Sequence, residues 1–480
     1  MGSSMSNWFV LAPEIFVTTL ACGILIFDLF LKESQRGLTY LLTQATLVGA
    51  TLLVLQQGAE TALAFDGMFV LDTFAKVVKI FLLLAVFLAL AASTRYLRDR
   101  GLYRGEYFVL ILFAMVGMMI MASAGSLLTV YLGLELLALC QYALVAMRRD
   151  DPQATEAGLK YFILGALSSG MLLYGMSLLY GATGSLSLQA IANTVAASGV
   201  QDKVLVFALV FVMVGIAFKL GAAPFHMWVP DVYQGAPTAV TLFISTAPKL
   251  AAFAMAVRLV ISGMAEAQAA WGDIFMFLSV LSILIGNVVA IAQTNLKRML
   301  AYSGISHAGF LLLGLVTGDL NGLSSALFYT LTYILMGIGS FAMIMLLASK
   351  GFEAEEISDF KGLNQRHPWY AGMMMILMFS MAGVPPTVGF YAKLAVLQSV
   401  IQAGHLWLAV YAVILSVVGA FYYLRVVKVM YFDAPENPQP IQADNFVGGV
   451  VSLNSLMILI LGLAPGALMT ICVQAVQGLF

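Results

Sequence analysis

The stretch FKLGAAPFHMWVPDVYQGAPT, residues 218–238, decides how the chain is read. Lys219 closes an apolar run that begins near Val204, so its charge sits deep in sequence suited to hydrocarbon. Pro224 follows; lacking an N–H, it would leave the Leu220 carbonyl unpaired in a continuing helix. His226, Trp228, Pro230 and Asp231 come next, and Pro237 reopens an apolar run. A lysine beside an interrupted helix is costly in a membrane unless the broken backbone lines a polar cavity. Glycine, proline and tryptophan alone would carry no such message, because packed membrane bundles use them freely.

Outward from that stretch the chain stays apolar. Hydrophobic residues make up 61% of 480 and charged residues 10%, where soluble chains average about 45–50% and about 25%. The composition predicts an all-α polytopic membrane protein, with residues 1–480 forming a single bundle. A net charge of −1 without a basic tract argues against nucleic acid as a partner. Cys22, Cys140 and Cys472 lie far apart in apolar sequence and read as buried thiols. With no CxxC, no Walker sequence and no GxGxxG after a strand, the chain offers no evident place for flavin, haem, an iron–sulfur cluster or a nucleotide.

A bilayer core of about 30 Å needs roughly 20 apolar residues per helix. That window yields runs near 8–30, 38–56, 70–92, 107–124, 126–147, 159–181 and 203–222. Further runs lie near 237–262, 271–294, 298–317, 322–348, 371–402, 405–431 and 446–475. Fourteen spans result, the fourth and fifth divided only at Ala124–Gly125. The first is too long for a signal-peptide core and reads as a retained helix. Sixteen basic residues, from Lys32 to Lys428, fall in or beside alternate loops, and the opposite loops hold only Lys203 and Arg258. By the positive-inside rule both termini face away from the cytoplasm. The polar connections 349–368 and 433–445 read as solvated loops, with a docking surface as the other reading.

The broken seventh span is echoed five spans later. The twelfth is interrupted at Gly383–Val384–Pro385–Pro386 and carries Lys393. Interruptions at corresponding positions are what inverted repeats produce in transporters. Two five-helix repeats, 107–262 and 271–431, would then be flanked by helices over 8–92 and 446–475.

Three lysines remain inside the spans: Lys219, Lys249 and Lys393. Each would cost roughly 2.5–3.5 kcal/mol facing lipid at a helix centre, so they are expected to face the interior. Lys249 follows Pro248, which frees the Ile244 carbonyl as a further helix break. Glu135 is the one carboxylate near the middle of a span, and an ion pair with Lys219 is the economical solution. The alternative is a pair that only fixes helix packing. All three central cations are lysine, which can release a proton when buried where arginine does not, so the pattern points to proton exchange. His226 beside the break and His307 among Ser303 and Ser306 are candidate bridges, with a satisfied core histidine as the other reading of His307. Lys76 and Lys79 read as snorkelling side chains, with Asp72 one turn before Lys76.

With these residues in hand the chain resembles the antiporter-like membrane subunits of respiratory complex I, the proton-translocating NADH–quinone oxidoreductase. The resemblance rests on Leu134–Glu135, KLGAAPFHMWVPDVYQGAPT from Lys219, APK at Lys249, NLKRMLAYSGISHAG from Asn295 and GVPPTVGFYAK ending at Lys393. It implies 14 transmembrane helices in two inverted five-helix repeats with helices 7 and 12 broken, at Pro224 and at Pro385–Pro386. It also implies proton transfer through Glu135 and Lys219 as a modulating pair, Lys249 as the connecting lysine and Lys393 as the terminal one. Flavin, iron–sulfur clusters and quinone would reside in partner subunits, none in this chain. Neighbouring antiporter-like subunits and a bacterial inner membrane are implied as well. Subunits of cation/proton antiporter complexes and membrane-bound hydrogenases share the core and form the nearest alternatives; a stand-alone secondary transporter is a third.

Overall fold

Proline and short polar caps set where many helices begin. A computed structural model describes residues 7–58, 60–198, 203–435 and 444–480. Helices α1 (Ala12–Asp28) and α2 (Gly37–Gln56) precede a small antiparallel hairpin, β1 (Ala62–Ala64) and β2 (Phe69–Leu71). Then come α3 (Thr73–Asp99), α4 (Gly105–Ala122), α5 (Leu127–Val145), α6 (Pro152–Thr183) and the short α7 (Leu188–Ser198). The middle holds α8 (Lys203–Leu220), α9 (Trp228–Gly235), α10 (Thr238–Ser245) and α11 (Ala247–Val257), which runs into a π turn at Arg258–Ser262. The rest is α12 (Gln268–Ile291), α13 (Leu296–Thr317), α14 (Leu320–Leu347), α15 (Pro368–Ala382), α16 (Val388–Gln402), α17 (Leu406–Phe432), α18 (Asn445–Leu463) and α19 (Gly466–Gln477).

Among the described residues, 12 helical segments are long and apolar enough to cross a membrane, and they fall on twelve of the expected runs. The other two runs appear as the 17-residue α1 and as α15 plus α16. Ser123 to Gly125 separate α4 from α5 by pairing with the hairpin: Val70 N donates to Ser123 O and Gly125 N to Met68 O. The last run is split at Ala464–Pro465, where α19 starts afresh. The hairpin and α7 had no signal in the apolar windows, because three-residue strands and an 11-residue helix are shorter than the period being sought. Helices α10, α11, α13 and α14 are buried nearly all round and form the centre, as all-round apolar helices should. Outer helices such as α17 turn Val413, Val417 and Phe421 outward.

Several charges read as peripheral are instead interior. Lys79 does not snorkel: it is fully buried, its Nζ 2.6 Å from Glu14 on α1. Asp72 does not serve Lys76; both its oxygens are taken by the Arg258 fork, at 2.7 and 2.8 Å, while Arg258 Nε donates to Ala122 O. A planar guanidinium matches a carboxylate bidentately in a way that a lysine one turn along the helix does not. Lys76 donates to the Gly58 carbonyl.

The segment 349–360 is not a free solvated loop. Glu353 accepts from Tyr96, Arg100 and Arg148, Glu355 pairs with Lys297 at 2.9 Å, and Asn295 reaches Glu356. It therefore straps α3 and the α5–α6 turn to the foot of α13. Burial alone would raise the Glu353 carboxyl, but Arg100, Tyr96 and Arg148 outweigh it and hold it below the usual value. A depressed carboxylate contributes stability above its unfolded pKa, about 4.3 for Glu, and loses it as pH falls through the lower folded value. Amide exchange in residues 349–360, after correction for intrinsic rates, should rise as pH drops below that point. Glu353→Gln should show faster exchange already at neutral pH, and a variant as protected as the parent would contradict the strap. The connection 436–443 lies outside the described residues.

Candidate functional site

Both expected breaks have the same local build. Helix α8 ends at Leu220 and Gly221 takes φ +70°; α15 ends at Ala382 and Gly383 takes φ +87°. Only glycine enters that region without strain, which makes these the natural residues beyond a helix end. The missing Cβ matters too, since one on Gly221 would lie 2.8 Å from Lys249 Nζ and one on Gly383 3.0 Å from Lys393 Cδ.

At each break a lysine satisfies the freed carbonyl. Lys249, in the first turn of α11, donates to Leu220 O at 2.6 Å. Lys393, in α16, donates to Ala382 O at 2.9 Å and to Ser416 Oγ at 2.8 Å. A half-helix C-terminus carries a partial negative charge, so each ammonium sits where the helix dipole favours it. Lys249 reaches Leu220 because Pro248 and the irregular Thr246 (φ −117°, ψ −94°) restart the helix there, as the sequence suggested. Within the first break, Trp228 Nε1 donates to Phe218 O and Ala223 N to Ser282 Oγ. Asp231, at the far end, is held by Lys160 and Arg298, each at 2.8 Å.

Lys219 and Glu135 do not form the expected ion pair. No contact within 4.0 Å joins them; Lys219 Nζ and Glu135 Oε1 are each buried without a hydrogen-bond partner. Lys219 Nζ lies 5.9 Å from the Tyr142 ring centroid. Glu135 is half-buried on α5 with its Oε1 shielded from solvent, and Lys219 is buried at the end of α8, so packing leaves the two charges apart within the bundle. Lys219 lines a void with Gln141, Trp228 and Pro248. Lys249 Nζ lies 5.5 Å from the Trp228 ring centroid, and Trp228 also lines the void beside Lys219.

From Lys249 the polar groups continue. A void shared by Lys249, His307, Tyr329 and Tyr333 has room for about one water molecule. His307 Nδ1 pairs with Tyr329 OH at 2.6 Å and Nε2 with Tyr423 OH at 3.1 Å, while Ser303 Oγ lies 2.5 Å from Tyr423 OH. His307 is thus a satisfied core histidine that also lines the void beside Lys249. His226 is not: it is half-buried at the outer side of the break with Nδ1 unpartnered. The tyrosines and Ser416 were missed from the sequence because uncharged polar residues inside apolar runs do not stand out by transfer cost.

Basic side chains threaded through the middle of a helical bundle, two of them capping broken helices, define an antiporter-like membrane subunit. Residues 124–419 match the family described as "NADH:quinone oxidoreductase/Mrp antiporter, TM". NADH-quinone oxidoreductase subunit N of Acidithiobacillus ferrooxidans is 58% identical over 479 residues, covering 100% of each chain. The same-named protein of Thioalkalivibrio sulfidiphilus is 54% identical, over 99% of this chain and 100% of its own. A chain of respiratory complex I from Thermus thermophilus superposes with TM-score 0.82 at 32% identity, covering 95% of this chain and 98% of that one. A chain of the Mrp complex from Dietzia sp. DQ12-45-1b reaches TM-score 0.86 at 20% identity over 99% and 97%, a likeness of fold alone. The chain belongs to the NADH:quinone oxidoreductase/Mrp antiporter transmembrane family, on its subunit N branch.

Proposed function

We infer that this chain translocates protons as a non-redox membrane-arm subunit of an NADH–quinone oxidoreductase. Quinone reduction in other subunits, which hold the flavin and iron–sulfur clusters, supplies the driving force. The observation that carries this reading is the pair of lysines, Lys249 and Lys393, that each cap the freed carbonyl of a broken half-helix, with His307 lining the void beside Lys249. A protonated lysine at each end is held by carbonyls at the negative pole of a half-helix. Neutral imidazole has one donor and one acceptor nitrogen, so His307 can take a proton on one side and release one on the other. Water in the void beside Lys249 completes the link. Lys219, next along through Trp228, sets the field at Lys249, and movement of Glu135 toward or away from Lys219 modulates it. His226 has no place in this route. The positive-inside distribution supports an orientation with the strap 349–360 on the cytoplasmic face and both termini opposite.

Proton pumping per quinone reduced, measured in the reconstituted complex, tests the modulating pair. Glu135→Gln, Lys219→Met and the double variant should all assemble, and all three should couple poorly, because no contact exists for the double variant to make redundant. Full pumping in the double variant would remove Glu135 and Lys219 from the mechanism.

A further inference from the structure

Between α3, α14, α18 and α19 lies a groove of about 350 Å³, far larger than the voids beside the lysines. Its floor is Leu331, Ile334 and Ile338 of α14, and its rim is formed by Leu84 of α3 and Leu453 of α18. These residues sit in the middle of three spanning helices, at the depth of bilayer hydrocarbon. The opposite side of α14 carries Tyr329 and Tyr333, which face His307.

We propose that this groove is a binding site for one acyl chain of a bilayer lipid. The chemistry of the wall selects the occupant. Its one polar side chain, Asn454, donates Nδ2 to Leu335 O at 2.8 Å, leaving Oδ1 as a lone acceptor. The wall therefore has no free side-chain donor for a phosphate, an ester or a quinone carbonyl, and no carboxylate for an ammonium head. The volume is near the lower end of small-ligand sites, roughly 300–1,000 Å³. A flexible hydrocarbon chain fits these limits and restores the dispersion contacts that an unfilled groove forgoes. The site stands whether or not the central lysines carry protons.

The test uses the whole complex in nanodiscs containing a phosphatidylethanolamine with a diazirine in mid-acyl chain. After irradiation, peptide mass spectrometry should find labels concentrated on the groove faces of α14 and α18, well above the density around Leu139. Leu139, an outward residue of α5 that is 58% exposed, is the comparison position. Leu84 and Leu453 are 45% and 62% exposed, so tryptophan there should narrow the groove without entering the core. Leu84→Trp/Leu453→Trp should cut groove labelling several-fold and leave labelling near Leu139 unchanged. Groove labelling in the parent no denser than near Leu139 would overturn the proposal, with no variant needed. So would unchanged labelling in the double variant, or photocrosslinks from the groove to a neighbouring polypeptide.

Discussion

Lys393→Ala, in a complex assembled in normal amount, is expected to lower proton translocation by roughly 10²-fold, the usual worth of a positioned proton-transfer group. Alanine also removes the donor to Ala382 O and Ser416, and an unpaired buried carbonyl costs about 1–3 kcal/mol. That loss alone would weaken α15 and α16, so the alanine variant by itself does not separate proton loading from helix capping. Lys393→Arg does. Arginine retains charge and donors for the half-helix end but does not release its proton. Proton loading predicts an arginine variant that assembles normally and translocates almost as poorly as alanine. Capping predicts recovery of translocation along with assembly. Recovered pumping with Lys393→Arg would reduce Lys393 to a structural residue.

Arg258→Met should be the most destabilising single change outside the central lysines. It leaves Asp72 ionised and buried against α11, a loss of about 3–5 kcal/mol if nothing relaxes, and it also releases the Ala122 carbonyl. Asp72 caps α3 by accepting from Ala75 N, so Asp72→Asn keeps a capping oxygen while removing the charge. The double variant Asp72→Asn/Arg258→Met should regain a large part of the thermal stability lost in Arg258→Met. Differential scanning fluorimetry of the purified complex, with the yield of assembled material, checks both. A single variant as stable as the parent would show that the clamp contributes little.

Transfer cost and local backbone geometry were legible in the sequence. A run of about 20 apolar residues is set by bilayer thickness and needs no knowledge of neighbours. Pro224, Pro248, Pro385 and Pro386 announced breaks because a missing N–H acts within one turn of its own chain. Even the free Leu220 carbonyl was foreseeable, since the rule concerns residues four apart. Three lysines in hydrocarbon had to turn inward for the same one-residue reason.

Which partner each group found was decided only by packing. Lys249 meets a carbonyl 29 positions away, His307 a tyrosine 116 away and Arg258 a carboxylate 186 away. Such contacts depend on how helices are rotated and stacked, and a list of charges is compatible with many pairings. The economical pairing of Glu135 with Lys219 failed on that ground: both are mid-membrane charges with buried polar atoms, yet the packing of α5 and α8 keeps them out of contact. Lys79 shows the converse, a residue that looked peripheral by its place near a helix start and became interior because α1 packs Glu14 beside it. Hydrocarbon cost is a property of one residue and helix breaking of one turn. The choice of partner belongs to the whole bundle, and the arrangement of Lys249, His307 and Lys393 around the broken helices exists only at that level.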